Sequence, residues 1–344
     1  MFMATGDSKF ADLIERTTFN ALPGAVTKDF KQLQYFSAVN QTVIGPTNSH
    51  TPRWPTRMTY RAAHDTECCA GNINRAMPDY VNRMWMRSGT NAIAAVYYGP
   101  SEATVQLNGQ KVVISEETDY PFRDSISFKV KTANRVTFDL QLRIPGWCEN
   151  PELRVNGKEW SEKQKAGTFA SVHREFRDGD LVTLTLPMSV RVERWLGGKS
   201  VCFTRGPLVF SLNIEEKRVE HTNDPEDIKP FELGHEIQGF PEVEFTPKSD
   251  WRFGIDPGVE NSSKAYRVVE SGMTYNPFLK EQAPVRLEVP LYHLPDWKEK
   301  MPGEPAGLPA GAEGIASGAP RESVLVPYGA THLRLTTLPI VRVE

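Results

Sequence analysis

"ATVQLNGQKVVIS", residues 103–115, decides the fold class. Apolar residues alternate or run together on both sides of Asn108-Gly109. A type I′ turn needs positive φ at both central positions, which asparagine and glycine tolerate, so the stretch predicts a tight two-stranded hairpin. Outward from it the same pattern repeats. "NAIAAVYYG", "SISFKVKT", "RVTFDLQLRIPGW", "ELRVNGKEW" and "DGDLVTLTLPMSVRVERW" all have strand lengths and strand patterning. Asn156-Gly157 signals a second hairpin. Short strands with turns at this spacing indicate an antiparallel β-sandwich.

The pattern starts at about Ser88, and from "VCFTRGPLVFSL" (201–212) a second, more polar β-rich region follows. It contains a Gly/Pro/Ala-rich loop over 302–320 and ends in the strand-like tail "VLVPYGATHLRLTTLPIVRVE". The first 87 residues differ. Phe10, Leu13, Ile14 and Thr17 recur at helical spacing over 7–22, with Asp7 or Ser8 as cap and Pro23-Gly24 as terminator. Ile73, Met77, Tyr80, Val81 and Met84 mark one face of a second helix, in which Pro78 marks a kink or a first turn. Between them runs a long loop, 45–65, of the kind that is usually functional.

Composition narrows the function. The chain has 344 residues and a formal net charge of −3, with no basic run, which gives no pull toward nucleic acid. No apolar segment approaches membrane-spanning length. The opening "MFMATGDSKF" lacks the basic and apolar regions of a signal peptide, and the compartment stays open. Four cysteines are too few for a disulfide framework. Two of them, Cys68 and Cys69, are adjacent, a spacing that disfavours a mutual disulfide. Metal binding, nucleophilic chemistry and accident remain for that pair.

"CCAGNINRAMPDYVNRMW" (68–85) resembles the double-cysteine motif of glycoside hydrolase family 127, the β-L-arabinofuranosidase family. "KFADLIERTTFNAL" (9–22) is similar to that family's late barrel helix. "FDLQLRIPGWCENPELRVNGK" (138–158) and "HREFRDGDLVTLTLPMSVR" (173–191) resemble its sandwich signatures, and "FTRGPLVFSL" (203–212) the strand opening its last domain. The resemblance implies a mainly β chain: two antiparallel β-sandwich domains preceded by the last helices of an incomplete (α/α)6 barrel. The expected boundaries are 1–87 for the barrel remnant, 88–190 for the first sandwich with 330–344 returning to it, and 191–329 for the second.

By the same resemblance Cys68 is the catalytic nucleophile and a zinc ligand, and Cys69 a second zinc ligand. Tyr35, in "QLQYFSAVN", is similar to an active-site tyrosine that contacts substrate. The family's remaining zinc ligands and its acid/base glutamate lie upstream. Trp54, in the long loop, is a candidate sugar-facing aromatic. Residues of this chain that could add zinc ligands are His50, His64 and Glu67. The chemistry is coherent: zinc or nearby cations lower a thiol pKa and make a nucleophile, and a thiolate can replace one carboxylate of a retaining glycosidase. The implied partner is an oligosaccharide or glycoside of the plant-polysaccharide type, with no nucleic acid and no membrane.

Other conspicuous residues read as structural. Cys148 and Cys202 suit core positions, Trp147, Trp160 and Trp195 suit strand packing, and Arg75 and Arg143 suit pairing with acids. A chain holding only late barrel helices should lack turnover alone. It should also leave Ile14, Phe19, Met77, Tyr80 and Met84 exposed and self-associate through them. Two other functions fit the same residues: a non-catalytic β-sandwich carbohydrate-binding or structural module, and a subunit completed in trans by a separate barrel polypeptide.

Overall fold

A computed structural model describes residues 1–45, 58–62, 68–221, 241–261, 265–301, 304–305, 315–316 and 318–343. The chain is mainly β, as its patterning predicts. Its contacts define two compact units. Met1–Phe19, Arg75–Val190 and Arg205–Pro207 make the first; Asn20–Asn74, Arg191–Thr204 and Leu208–Glu344 make the second.

The first unit is a β-sandwich. Its six-stranded sheet runs in the order Ser101–Leu107, Gln110–Thr118, Ser125–Thr132, Leu181–Thr185, Glu152–Val155, Lys158–Glu159. Asn108 and Gly109 both have positive φ, 47° and 74°, and the strands they join pair Val105 with Val112 and Leu107 with Gln110. That register turns Val112 and Ile114 inward and leaves Lys111 in solvent; a slip of one residue would bury the lysine instead. The second hairpin forms as expected, with Asn156 and Gly157 at φ 51° and 79°. The four-stranded sheet has the order Thr168–Phe176, Val136–Ile144, Ala92–Ala95, Trp85–Arg87. One core joins the two sheets, with Ile114, Phe128, Phe138, Leu140, Val172 and Val182 at its centre.

Ala92–Ala95 departs from the antiparallel expectation by running parallel to Val136–Ile144. It is buried on both faces, as its unbroken apolar run requires. Ile93 and Ala95 face the sandwich core, whereas Ala94 and Val96 face a second cluster built with Ala11, Tyr80, Met84 and Tyr97. That cluster corrects the expected exposures. Ile14 and Met77 are exposed, and so are Leu13 and Val81, but Tyr80 and Met84 are buried and Phe19 is half-buried. Phe19 meets the Tyr80 ring edge-on at 5.8 Å, and Tyr80 lies 4.7 Å from Tyr97. The segment that follows the strand Ala92–Ala95, with Val96 and Tyr97, thus supplies cover for Tyr80 and Met84 that was not expected within this chain.

The first long helix spans Lys9–Arg16 and continues through a π-turn, Thr17–Ala21, into Leu22–Gly24. Asp7 Oδ1 accepts the Lys9 N–H at 3.1 Å, whereas the Ser8 hydroxyl donates to Gly167 O at 2.6 Å. Pro23 lies inside the last helical turn rather than beyond it. Gly24 is required there, because a Cβ would stand 2.7 Å from the Tyr328 ring.

The second unit is built on an eight-stranded sheet. Its main path is Val190–Trp195, Ser200–Arg205, Leu208–Leu212, Arg321–Pro327, Val285–His293, Phe253–Gly254. Glu216–His221 pairs with Glu242–Pro247 beside it. The chain end does not return to the first sandwich as expected. Asn40 pairs with Leu335, Val201 with Leu338, and Ile315 with Arg342, all within the second unit. Polar groups hold it there: Asn40 Oδ1 accepts the N–H groups of Thr336 and Thr337 at 2.8 and 3.0 Å, and buried Arg334 donates to Gly24 O at 2.8 Å.

Cys148 and Cys202 are buried core residues, and Trp147 and Trp160 pack against the sandwich core, as expected. Trp195 is exposed instead. No helix among the described residues is long and apolar enough to cross a membrane.

Candidate active site

The adjacent cysteines open the helix Cys68–Val81, which places both thiols in its first turn. Cys68 is exposed and Cys69 partly exposed, and both are free thiols. Their Sγ atoms stand 3.9 Å apart. Burial, and after it the neighbouring thiol, raises the Cys69 pKa.

The sulfur separation tests the zinc expectation. Two thiolates about 2.3 Å from one tetrahedral zinc ion stand about 3.8 Å apart, so this pair fits two corners of such a site. Among the described residues no histidine, aspartate or glutamate joins the pair into a three-ligand cluster. His50, His64 and Glu67 lie outside the described residues, as does the sugar-facing candidate Trp54. Tyr35 is half-buried, with its ring edge-on to Phe36 at 4.8 Å. The structure brings together Cys68 and Cys69.

The far end of the cysteine helix is fixed by groups that sequence patterning does not reveal. Tyr80 packs between Phe19 and Tyr97, as described above. Beside them Arg143, fully buried, reaches two acids of the Lys9–Arg16 helix: its Nη1 bonds to Asp12, and its Nη2 lies 2.6 Å from Glu15 Oε1. Tyr120 donates its hydroxyl to Glu15 Oε2 at 2.7 Å, and Gly146 N–H donates to Asp12 Oδ2 at 2.9 Å. Burial raises the Glu15 pKa, against the lowering effect of Arg143. Burial opposes the Arg143 charge, but Glu15 and then Tyr120 and Asp12 raise its pKa overall. Arg143 therefore does pair with acids. The only hint in the sequence is an arginine near the end of an apolar strand, with acids at 12 and 15 on one helix.

The fold and the cysteine pair define a class: a mainly β chain whose first unit is a β-sandwich and which carries a double-cysteine helix. The profile of the β-L-arabinofuranosidase GH127 catalytic domain matches residues 1–82, and that of the GH127 middle domain matches residues 92–188. The chain belongs to glycoside hydrolase family 127. It is 24% identical over 250 residues to a non-reducing end β-L-arabinofuranosidase of Bifidobacterium longum subsp. longum, a match covering 67% of this chain and 35% of that protein. A solved glycoside hydrolase shares its fold with a TM-score of 0.69 at 23% identity, covering 99% of this chain and 50% of that one. A GH127 β-L-arabinofuranosidase from Geobacillus stearothermophilus T6 does so with a TM-score of 0.67 at 20% identity, over 100% of this chain and 48% of that one. The chain thus spans about half the length of these solved relatives and about a third of the curated one.

Proposed function

We propose that this chain carries the nucleophile of a retaining glycosidase acting on β-L-arabinofuranosides or related plant-polysaccharide sugars. The supporting observation is the 3.9 Å sulfur pair, solvent-accessible in the first turn of a helix within the stretch that the catalytic-domain profile matches.

In this reading the Cys68 thiolate attacks the anomeric carbon, forming a C–S bond as the C–O bond to the leaving alcohol breaks. A carboxylic acid must give its proton to that departing oxygen. Water then attacks the same carbon, the C–S bond breaks, and the sugar leaves with net retention by double displacement. Cys68 and Cys69 would together hold zinc, which when bound keeps the sulfurs deprotonated at neutral pH. Tyr35 and Trp54 are the proposed substrate contacts. The proton donor and the other zinc ligands would come from the upstream barrel that the family resemblance implies, so turnover is expected when that barrel is present.

The test measures zinc content and hydrolysis of an aryl β-L-arabinofuranoside by the chain alone and with the upstream barrel supplied as a separate polypeptide. The expected result is zinc retention that needs both cysteines, and turnover only in the reconstituted pair, lost in Cys68→Ala. Turnover that survives Cys68→Ala would overturn the reading.

A further inference from the structure

We propose that the cleft framed by residues 149–164, on the first unit, binds a neutral oligosaccharide against Trp160. The inference takes only its ligand class, carbohydrate, from the glycosidase reading. The cleft has a volume of about 680 Å³, well within the range of small-ligand sites. Trp160 is locked in place beside it. Its backbone N–H donates to Leu153 O at 2.8 Å, its indole N–H donates to Ser171 O at 3.2 Å, and part of the ring packs on the sandwich core. With its one polar group used, the remaining accessible ring surface offers the cleft an apolar face. A sugar presents the complementary surface, since the C–H groups of a ring face stack on an indole.

The walls supply the polar half of such recognition. Asn150, Glu152, Arg154 and Glu159 line the cleft with planar amide, carboxylate and guanidinium groups that match pairs of hydroxyls. The wall is rigid, because Leu153 and Val155 of the same strand are buried and the strand pairs with Leu181–Thr185. Charge selects the sugar. Four glutamates, 149, 152, 159 and 162, line the cleft against Arg154 and Lys163, which disfavours uronates and leaves neutral sugars.

Calorimetric and NMR titration of the full chain with a neutral arabino-oligosaccharide, and with an oligogalacturonate of equal length, tests this. The neutral sugar should bind with shifts confined to 149–164, and the uronate should bind at least about tenfold more weakly. Trp160→Ala should weaken neutral-sugar binding by about tenfold. Because Trp160 also touches the core, the exposed pair Asn150→Ala with Glu159→Gln provides a second probe, expected to weaken binding at unchanged melting temperature. No binding, equal binding of the uronate, or binding untouched by these variants would overturn the inference. Cys68→Ala should leave this binding intact; binding lost in Cys68→Ala alone would locate the sugar at the cysteines, overturning the inference while supporting the glycosidase reading.

Discussion

Arg143 Nη2 lies 2.6 Å from Glu15 Oε1, and neither side chain has any accessible surface. The pair ties the Lys9–Arg16 helix to the strand Val136–Ile144. Removing one partner of a buried ion pair costs up to about 3–5 kcal/mol, and without Glu15 the buried Arg143 keeps only Asp12 as its acid, which places the loss toward the low end of that range. Glu15→Ala should therefore lose stability in that range in urea unfolding. Asp12→Ala should lose less, because the Asp12 side chain is a quarter exposed. Equal and small losses for both would mean that water already screens the pair.

The contrast between this pair and the Asn108-Gly109 hairpin shows what the sequence makes legible. The hairpin is local: two adjacent residues with positive φ and a period-two pattern suffice to fix it. The same holds for the first sandwich, whose strands carry their own turn signals. Arg143 and Glu15 meet only in the folded chain, so no short-range pattern announces them. The burial of Tyr80 and Met84 was illegible for a related reason. Helical periodicity identifies an apolar face but not its partner, and here the partner is Tyr97, just past the end of the strand Ala92–Ala95. The chain end is a third case, because Arg334 and Thr337 read as ordinary strand residues, while Asn40 and Gly24, far back in the sequence, hold them. Of the candidate site, the cysteine pair was visible by motif. Its sulfur separation needed the helix.

Glu116 should make the first unit alkali-sensitive. Burial pushes its carboxyl up to about 8, although Gly99 N–H and the Ser101 hydroxyl donate to it at 3.0 and 3.1 Å and act to lower it. A carboxyl whose folded pKa is raised contributes stability in full below its unfolded value near 4.5, and loses it as pH rises toward 8. Melting temperature should therefore fall across that window, and Glu116→Gln, which keeps the acceptor for Gly99, should flatten the fall. A variant with the same pH slope as the parent chain would remove Glu116 as its source.

His332 should act in the opposite direction in the second unit. Burial pushes its pKa down to about 4, helped by Lys28 and Arg334 and resisted by Glu216. The ring stacks on Phe245 at 4.1 Å, and its Nδ1 lies 2.8 Å from Glu216 Oε1, so the neutral ring donates from Nδ1 to that carboxylate. A histidine with a depressed folded pKa contributes stability in full above about 6.5 and loses it as pH falls toward 4. NMR titration should find the ring neutral down to about pH 4. His332→Asn, whose amide can replace the Nδ1–H donor, should lessen the acid-side loss. A ring that titrates near 6.5 would show that water reaches it.

The exposed apolar residues of the first unit lead to the last expectation. Leu13 and Ile14 on one helix, and Met77 and Val81 one turn apart on another, remain in solvent, Leu13 at 61% and Val81 at 56% exposure. Covering apolar surface is worth about 25 cal/mol per Å², so a few hundred Å² would repay several kcal/mol, comparable to the whole stability margin of a domain. Surface of that kind promotes association. The chain should therefore self-associate in sedimentation equilibrium, more strongly at high salt, because the contact is apolar rather than charged. Leu13→Glu with Val81→Glu should shift it toward monomer without lowering its melting temperature, since neither side chain is buried in the core. A parent chain that stays monomeric at high concentration would show that these residues need no cover, and association unchanged by the double variant would place the contact elsewhere.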